Sequence, residues 1–325
     1  DFTPTALGDQ VITLTANNHS TWLRAFVTPE PMKLIEARVR FLIDHQQKNA
    51  LGDVNDGAFL TYDNQTQQLV LEKSNDRNAG RERVGMGVLL ALYLPLCTDD
   101  ALKARISESL RRYDAFVTHH LQDATGKVFN DTDDPKQRLY NYPWVARFHL
   151  SLYRATRESA HLDAFVRTIK AYYRNGGQRF YAIGIPITDG LADLKAAGRT
   201  DDHDALLALF KAHADRLIAT GMNMPKSEVN YEQSIVAPAC EILLQTHLAT
   251  GEKKYLDAAQ PFLAALDAFN GQQPDHHLHD LAIRHWDDYW FGKEKVYGDT
   301  FPHYWSTLTA NVLFDEARID PQRAP

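Results

Sequence analysis

Apolar residues recur along this chain in two ways, and the two alternate. Across residues 84–96, Val84, Met86, Val88, Leu89, Leu90, Leu92 and Tyr93 follow one another with little polar relief. A helix with that pattern is buried on most sides. The next stretch carries one stripe only, Leu102, Ile106, Leu110, Tyr113 and Val117, with Arg105, Glu108, Arg111 and Arg112 left for water. Its steps of three and four predict a half-buried helix. The contrast returns later: residues 235–248 are mostly apolar, and Leu256, Ala259, Leu263 and Leu266 then form a single stripe.

Short polar turns join one kind of helix to the other. They are Thr98-Asp99-Asp100, Thr156-Arg157-Glu158, Gly198-Arg199-Thr200-Asp201 and Thr250-Gly251-Glu252. Their spacing of roughly 40–60 residues suits a repeated helical pair with variable loops. Their Thr and Asp side chains suit capping of the helix that follows. Buried helices alternating with half-buried ones predict two concentric rings, the outer shielding the inner. That is an all-α fold, an α/α toroid of the six-hairpin type. About ten or eleven helices are expected, against twelve for six complete hairpins. Only residues 57–62 and 180–187 read as strands. No linker, low-complexity run or charge block divides the chain, so one toroid domain over residues 1–325 is expected. The start at Asp1-Phe2-Thr3 is that of a mature form or of a piece of a longer protein.

The topology gives the polar motifs a common place. If all inner helices run parallel, their N-termini share one face. The polar-aromatic segments 75–83, 140–144, 226–233 and 297–305 each lie just before an inner helix, and 176–186 precedes a shorter one. Segments distant in sequence are thus expected to meet in one funnel. Trp144, Tyr231, Trp286, Trp290, Tyr304 and Trp305 offer flat faces for sugar rings. Asn141, Asn230, Tyr142 and Asp287 suit hydroxyl recognition. Arg77, Arg81 and Arg83 suit a carboxylate, which guanidinium holds in a bidentate fork, and helix N-termini add positive partial charge. An anionic group such as a uronic acid is the expected ligand.

For acid–base chemistry the candidates are Glu228, Glu232, Asp299, Asp287, Asp288, His303 and His285. Glycoside hydrolysis uses two carboxylates across the scissile bond, and Glu232 with Asp299 is the preferred pair. A lyase would use Tyr or His as base, with Tyr142, Tyr231 and His303 available, and Arg81 or Asn141 to neutralise the carboxylate. Blander roles compete with each. Arg81, Glu82 and Arg83 suit a solvated helix start, Tyr142 and Trp144 suit core packing, and Glu228 and Asp299 suit helix ends.

Composition narrows the classes. The chain has 325 residues, 44% hydrophobic, with net charge −7 and pI near 6.0. No basic stripe interleaves with aromatics, so nucleic acid is not an expected partner. No apolar run reaches the roughly 18 residues that span a membrane. Cys97 and Cys240 sit in apolar helical segments and read as buried free thiols. No CxxC or HExxH motif appears, and His276, His277 and His279 read as an exposed loop, so neither metal nor cofactor is expected. A periplasmic or extracellular place is favoured over a cytoplasmic one.

The runs Asn78-Ala79-Gly80-Arg81-Glu82-Arg83, Tyr140-Asn141-Tyr142-Pro143-Trp144, 227–233, Arg284-His285-Trp286-Asp287 and 298–305 resemble those of bacterial six-hairpin glycosidase-like carbohydrate enzymes. The likeness covers about residues 70–317 and points most closely to exo-acting β-glucuronidase-like enzymes. The tryptophan–alanine–arginine–glycine run of unsaturated glucuronyl hydrolases is missing. The resemblance implies a glycoside hydrolase acting at a uronic acid of an oligo- or polysaccharide. A uronate-specific polysaccharide lyase is the first alternative, and a carbohydrate-binding toroid without catalysis the second.

Overall fold

The structure, a computed structural model, describes residues 3–71, 78–80, 83–132, 134, 136–179, 182–223, 233–269, 289–290, 293–294 and 308–323. It is an α/α toroid. The helices are α1 (Pro31–Phe41), α2 (Val84–Tyr93), α3 (Asp100–Phe116), α4 (Asn141–Thr156), α5 (Ser159–Arg174), α6 (Ile187–Ala196), α7 (Thr200–Thr220), α8 (Gln233–Thr250), α9 (Lys253–Phe269) and α10 (Leu308–Ile319). Even-numbered helices form the inner layer: α2 packs on α4, and α8 packs on both α6 and α10. Odd-numbered helices back them, with α3 on α2, α5 on α4, α7 on α6 and α9 on α8.

The stripes explain the layering. On α3 the buried residues are Leu102, Ile106, Ser109, Leu110, Tyr113 and Phe116, one face at helical spacing. The inner helix α8 instead buries Ile235, Val236, Ala237, Ala239, Cys240, Ile242, Leu243 and Leu244, on every side. Both cysteines are buried and free. Between the layers Tyr113 meets Phe59 at 4.7 Å and Phe148 at 5.1 Å between ring centroids. Gly87 of α2 admits this cluster, since a Cβ there would lie 2.5 Å from the Tyr113 ring and 2.8 Å from the Phe148 ring.

One of the four turns caps as expected. The Asp99 carboxylate accepts from the amides of Ala101 and Leu102 at 3.0 and 3.1 Å and pairs with Arg40 of α1 at 2.9 Å. The other three turns differ. Arg157 closes α4 in the left-handed conformation, donating its amide to the Tyr153 carbonyl, and Thr156 and Thr250 each hold the amide two residues on. Neither α5 nor α7 has a side-chain cap.

The strands also depart from expectation. Gly8–Ala16 (β1) and His19–Val27 (β2) form an antiparallel hairpin that the sequence reading did not anticipate. Asn17 and Asn18, both at positive φ, make its two-residue loop, a conformation Asn tolerates. The hairpin is mostly exposed. A smaller one pairs Thr61–Asp63 (β3) with Gln68–Val70 (β4), at the edge of the expected strand over 57–62. Tyr289–Trp290 (β5) and Lys293–Glu294 (β6) make a third. Residues 182–186 form no strand, and α6 starts at Ile187. This segment lies between α4 and α8: the Gly184 carbonyl accepts from Arg147 of α4, and its amide donates to Glu241 of α8.

Candidate functional site

The segments 75–83, 140–144, 176–186, 226–233 and 297–305 lie in sequence just before or across the starts of the inner helices. Helix α2 begins at Val84, α4 at Asn141, α6 at Ile187, α8 at Gln233 and α10 at Leu308. The first two starts come together. Gly80 approaches the strand-like segment beyond α3 so closely that a Cβ would sit 2.2 Å from the Asn130 carbonyl oxygen. Beside it, Asn141 donates its amide to the Phe129 carbonyl at 3.1 Å, and Asn78 holds the Gly80 amide at 2.8 Å in a tight turn. Gly80 and Asn141 therefore both pack on residues 129–130.

A cavity of about 530 Å³ opens at the start of α2, lined by Arg38, Phe41, Gln46, Thr61, Tyr62, Asn64, Arg83 and Met86. This volume is in the range of small-molecule sites. Arg83 donates to the Thr61 hydroxyl at 3.0 Å. Arg38 stands over the Phe41 ring at 5.3 Å, and Phe41 meets Tyr62 edge to face at 5.2 Å. Partial desolvation pulls the Arg38 guanidinium below its ordinary pKa, yet guanidinium stays charged in proteins. Gln46 donates to the Leu60 carbonyl at 2.9 Å, while its own carbonyl oxygen has no partner among the described residues. Two arginines, Thr61, Asn64 and two aromatic residues thus line one pocket, a set that suits an anionic, hydroxyl-bearing ring.

Of the residues proposed from sequence, Arg83 lines this cavity. Asn141 is buried, with its Oδ1 unpartnered among the described residues. Tyr142 is 0% exposed: its ring packs toward Tyr172, its hydroxyl donates to Gln137, and burial raises its pKa. Trp144 is half-buried against the core. These placements match the packing role that competed with substrate contact. Arg77, Arg81, Glu228, Asn230, Tyr231, Glu232, His285, Trp286, Asp287, Asp288, Asp299, His303, Tyr304 and Trp305, with His276, His277 and His279, lie outside the described residues, as does the side chain of Trp290. Arg38, Gln46, Thr61, Tyr62 and Asn64 were not singled out from sequence. Thr61 and Tyr62 carried a signal, as part of a strand candidate.

The common-face expectation fails for α6. Its first amides, Ile187 N and Thr188 N, donate to the Gln245 side chain at 2.9 and 3.3 Å. Gln245 lies in the C-terminal half of α8, so α6 begins deep along α8 with its N-terminus already satisfied.

Among solved structures, the chain is similar to a polysaccharide lyase at 40% identity and a TM-score of 0.86, over 95% of this chain and 47% of that one. It thus spans about half the length of that lyase. It is also similar to a family 76 glycoside hydrolase from a bovine Bacteroides thetaiotaomicron strain, at 10% identity and a TM-score of 0.54, over 98% of this chain and 73% of the other. At that identity the likeness concerns the fold alone. No family model matches the chain. No curated protein matches it. No helix among the described residues is long and apolar enough to cross a membrane.

Proposed function

We propose that this chain is the helical toroid of a polysaccharide lyase that cleaves a uronate-containing glycan by β-elimination. The observation that carries the reading is the 40% identity to a polysaccharide lyase across 95% of the chain. The arginine-lined cavity supports it. Elimination takes the proton from C5 of the uronate, breaks the C4–O4 bond, forms a C4–C5 double bond and returns a proton to the departing oxygen. Negative charge builds on the carboxylate as C5 loses its proton, so donors fixed beforehand around that carboxylate lower the barrier. Arg38 and Arg83 suit that task. The base and acid are a Tyr or His, for which Tyr231 and His303 are the candidates. Tyr142 suits it less, because its ring is sealed in the core and its hydroxyl is engaged with Gln137.

Hydrolysis by Glu232 and Asp299, with or without Glu228, is the alternative, and so is β-glucuronidase-like specificity. Neither gains from the likeness to the glycoside hydrolase, which is one of fold. The deciding experiment incubates the protein with polymers of uronic acids and a neutral polymer as control, reading product mass and ultraviolet absorbance. The expected products carry an unsaturated uronate end that absorbs, and only from the uronate polymers. Products heavier by one water and without absorbance would replace the lyase by a hydrolase. Binding without turnover across the panel would leave a carbohydrate-binding toroid.

A further inference from the structure

Three side chains on three consecutive helices converge away from the cavity described above. Asp114 of α3, His149 of α4 and His161 of α5 each offer one ligand atom within 4.8 Å of the other two. The Asp114 Oδ1 to His161 Nδ1 separation is 4.0 Å. A tetrahedral zinc ion with bonds near 2.0–2.1 Å holds its ligand atoms about 3.3 Å apart. Closing the trio around one ion therefore takes shifts of about 1.5 Å or less between pairs, within reach of side-chain rotation.

The protonation pattern is set by partners outside the trio. Gln122 donates its amide to the Thr168 hydroxyl at 2.7 Å, and that hydroxyl donates to the Ala164 carbonyl at 2.7 Å. This fixes the orientation of the Gln122 amide, so its Oε1 faces His149 Nε2 at 2.8 Å and accepts a proton from it. The lone pair of His149 then belongs to Nδ1. That atom is buried in a fully enclosed side chain and has no partner among the described residues. Asp114 Oδ1 is likewise buried without a hydrogen bond. On the other side, His161 Nε2 faces Glu158 at 3.8 Å. Metal-bound histidines commonly give their second ring N–H to such an oxygen, which orients the ring and strengthens its donor atom.

We propose that Asp114, His149 and His161 bind one divalent transition-metal ion of the zinc type that ties α3, α4 and α5 together. Two imidazoles and one carboxylate suit zinc or cobalt, whereas magnesium and calcium prefer all-oxygen sets. Three protein ligands leave a fourth position for water. Among the described residues neither Asp114 Oδ1 nor His149 Nδ1 has a hydrogen-bond donor, so a cation between them would satisfy both. The site stands apart from the proposed carbohydrate chemistry and does not depend on it.

The test loads purified protein with zinc or cobalt, removes loose metal with a weak chelator and desalting, and measures metal per chain. The expected result is one equivalent of zinc, a cobalt form with the visible absorption of four-coordinate nitrogen and oxygen ligation, and a higher melting temperature with zinc but not with magnesium. Asp114→Asn and His161→Ala keep the buried His149 and should fold, as circular dichroism would verify; each should lose the retained equivalent and the melting shift. Failure of the wild type to retain metal would overturn the proposal. So would variants that retain it as the wild type does, since the metal would then sit elsewhere.

Discussion

Glu241 is a carboxylic acid within the otherwise apolar run 235–244 of α8, and its titration should be visible in the stability of the whole toroid. Its side chain is 5% exposed. Burial pushes its carboxyl up to about 7; Arg147 pulls it down, Asp315 pushes it up, and the Gln245 and Gly184 donors pull it down again. In the unfolded chain the same group titrates near 4.5. Between those values the folded protein holds a proton that the unfolded chain has released. Stability therefore falls as pH rises through this window and is level above it. Each pH unit is worth about 1.4 kcal/mol at full slope, and the slope fades toward pH 7, so the stretch from pH 5 to pH 7 amounts to roughly 2 kcal/mol. Glu241→Gln keeps the shape and the acceptor for Gln245 but cannot ionise. Urea unfolding of both proteins at pH 5 and pH 8 gives four free energies. The advantage of the variant over wild type should be larger at pH 8 than at pH 5 by about 2–3 kcal/mol. Other titrating groups cancel in this double difference, and Asp315→Asn serves to measure the coupling across the pair. A double difference near zero, or one of opposite sign, would mean that Arg147 holds Glu241 ionised in the folded protein, and the reasoning from burial would fail.

Removing a cavity guanidinium, by Arg83→Ala or Arg38→Ala, should weaken binding of a uronate oligosaccharide by about 1.5–3 kcal/mol. Calorimetry should show a much smaller loss for a neutral oligosaccharide, and equal losses would count against the carboxylate role. Gly87→Ala should destabilise the toroid by about 1–3 kcal/mol, because its new methyl meets the Tyr113 and Phe148 rings. A thermal melt unchanged from wild type would show that those rings yield freely.

The layering was legible because it rests on burial periodicity. The stripe at Leu102, Ile106, Leu110 and Tyr113 is buried as read, and the all-round apolar stretch of α8 is enclosed on every side. What periodicity left out was decided by other forces. The β1–β2 hairpin has little buried surface to impress a pattern on its residues, so only the Asn17-Asn18 turn marked it. Helix α6 has no cap in its own sequence; it begins where Gln245, far along the chain, meets its first amides. No local rule places that start.

The site was legible where a motif adjoins a helix start and silent where a pocket is assembled from opposite sides. Arg83 stood out because it opens α2 after a polar run. Arg38 faces the same cavity from α1, yet in sequence it is one basic residue among several on an amphipathic helix. Its meaning comes from Phe41 and Tyr62 beside it, and these contacts depend on how the β3–β4 hairpin folds back on α1. Glu241 is the instructive intermediate. A single acid within the apolar run of residues 235–244 is costly to bury, and that cost was readable from composition alone. What the sequence could not supply was the set of partners: Arg147 from α4, Gly184 from the connecting segment and Asp315 from α10. They lower the cost without removing it, and so leave the group poised near neutrality.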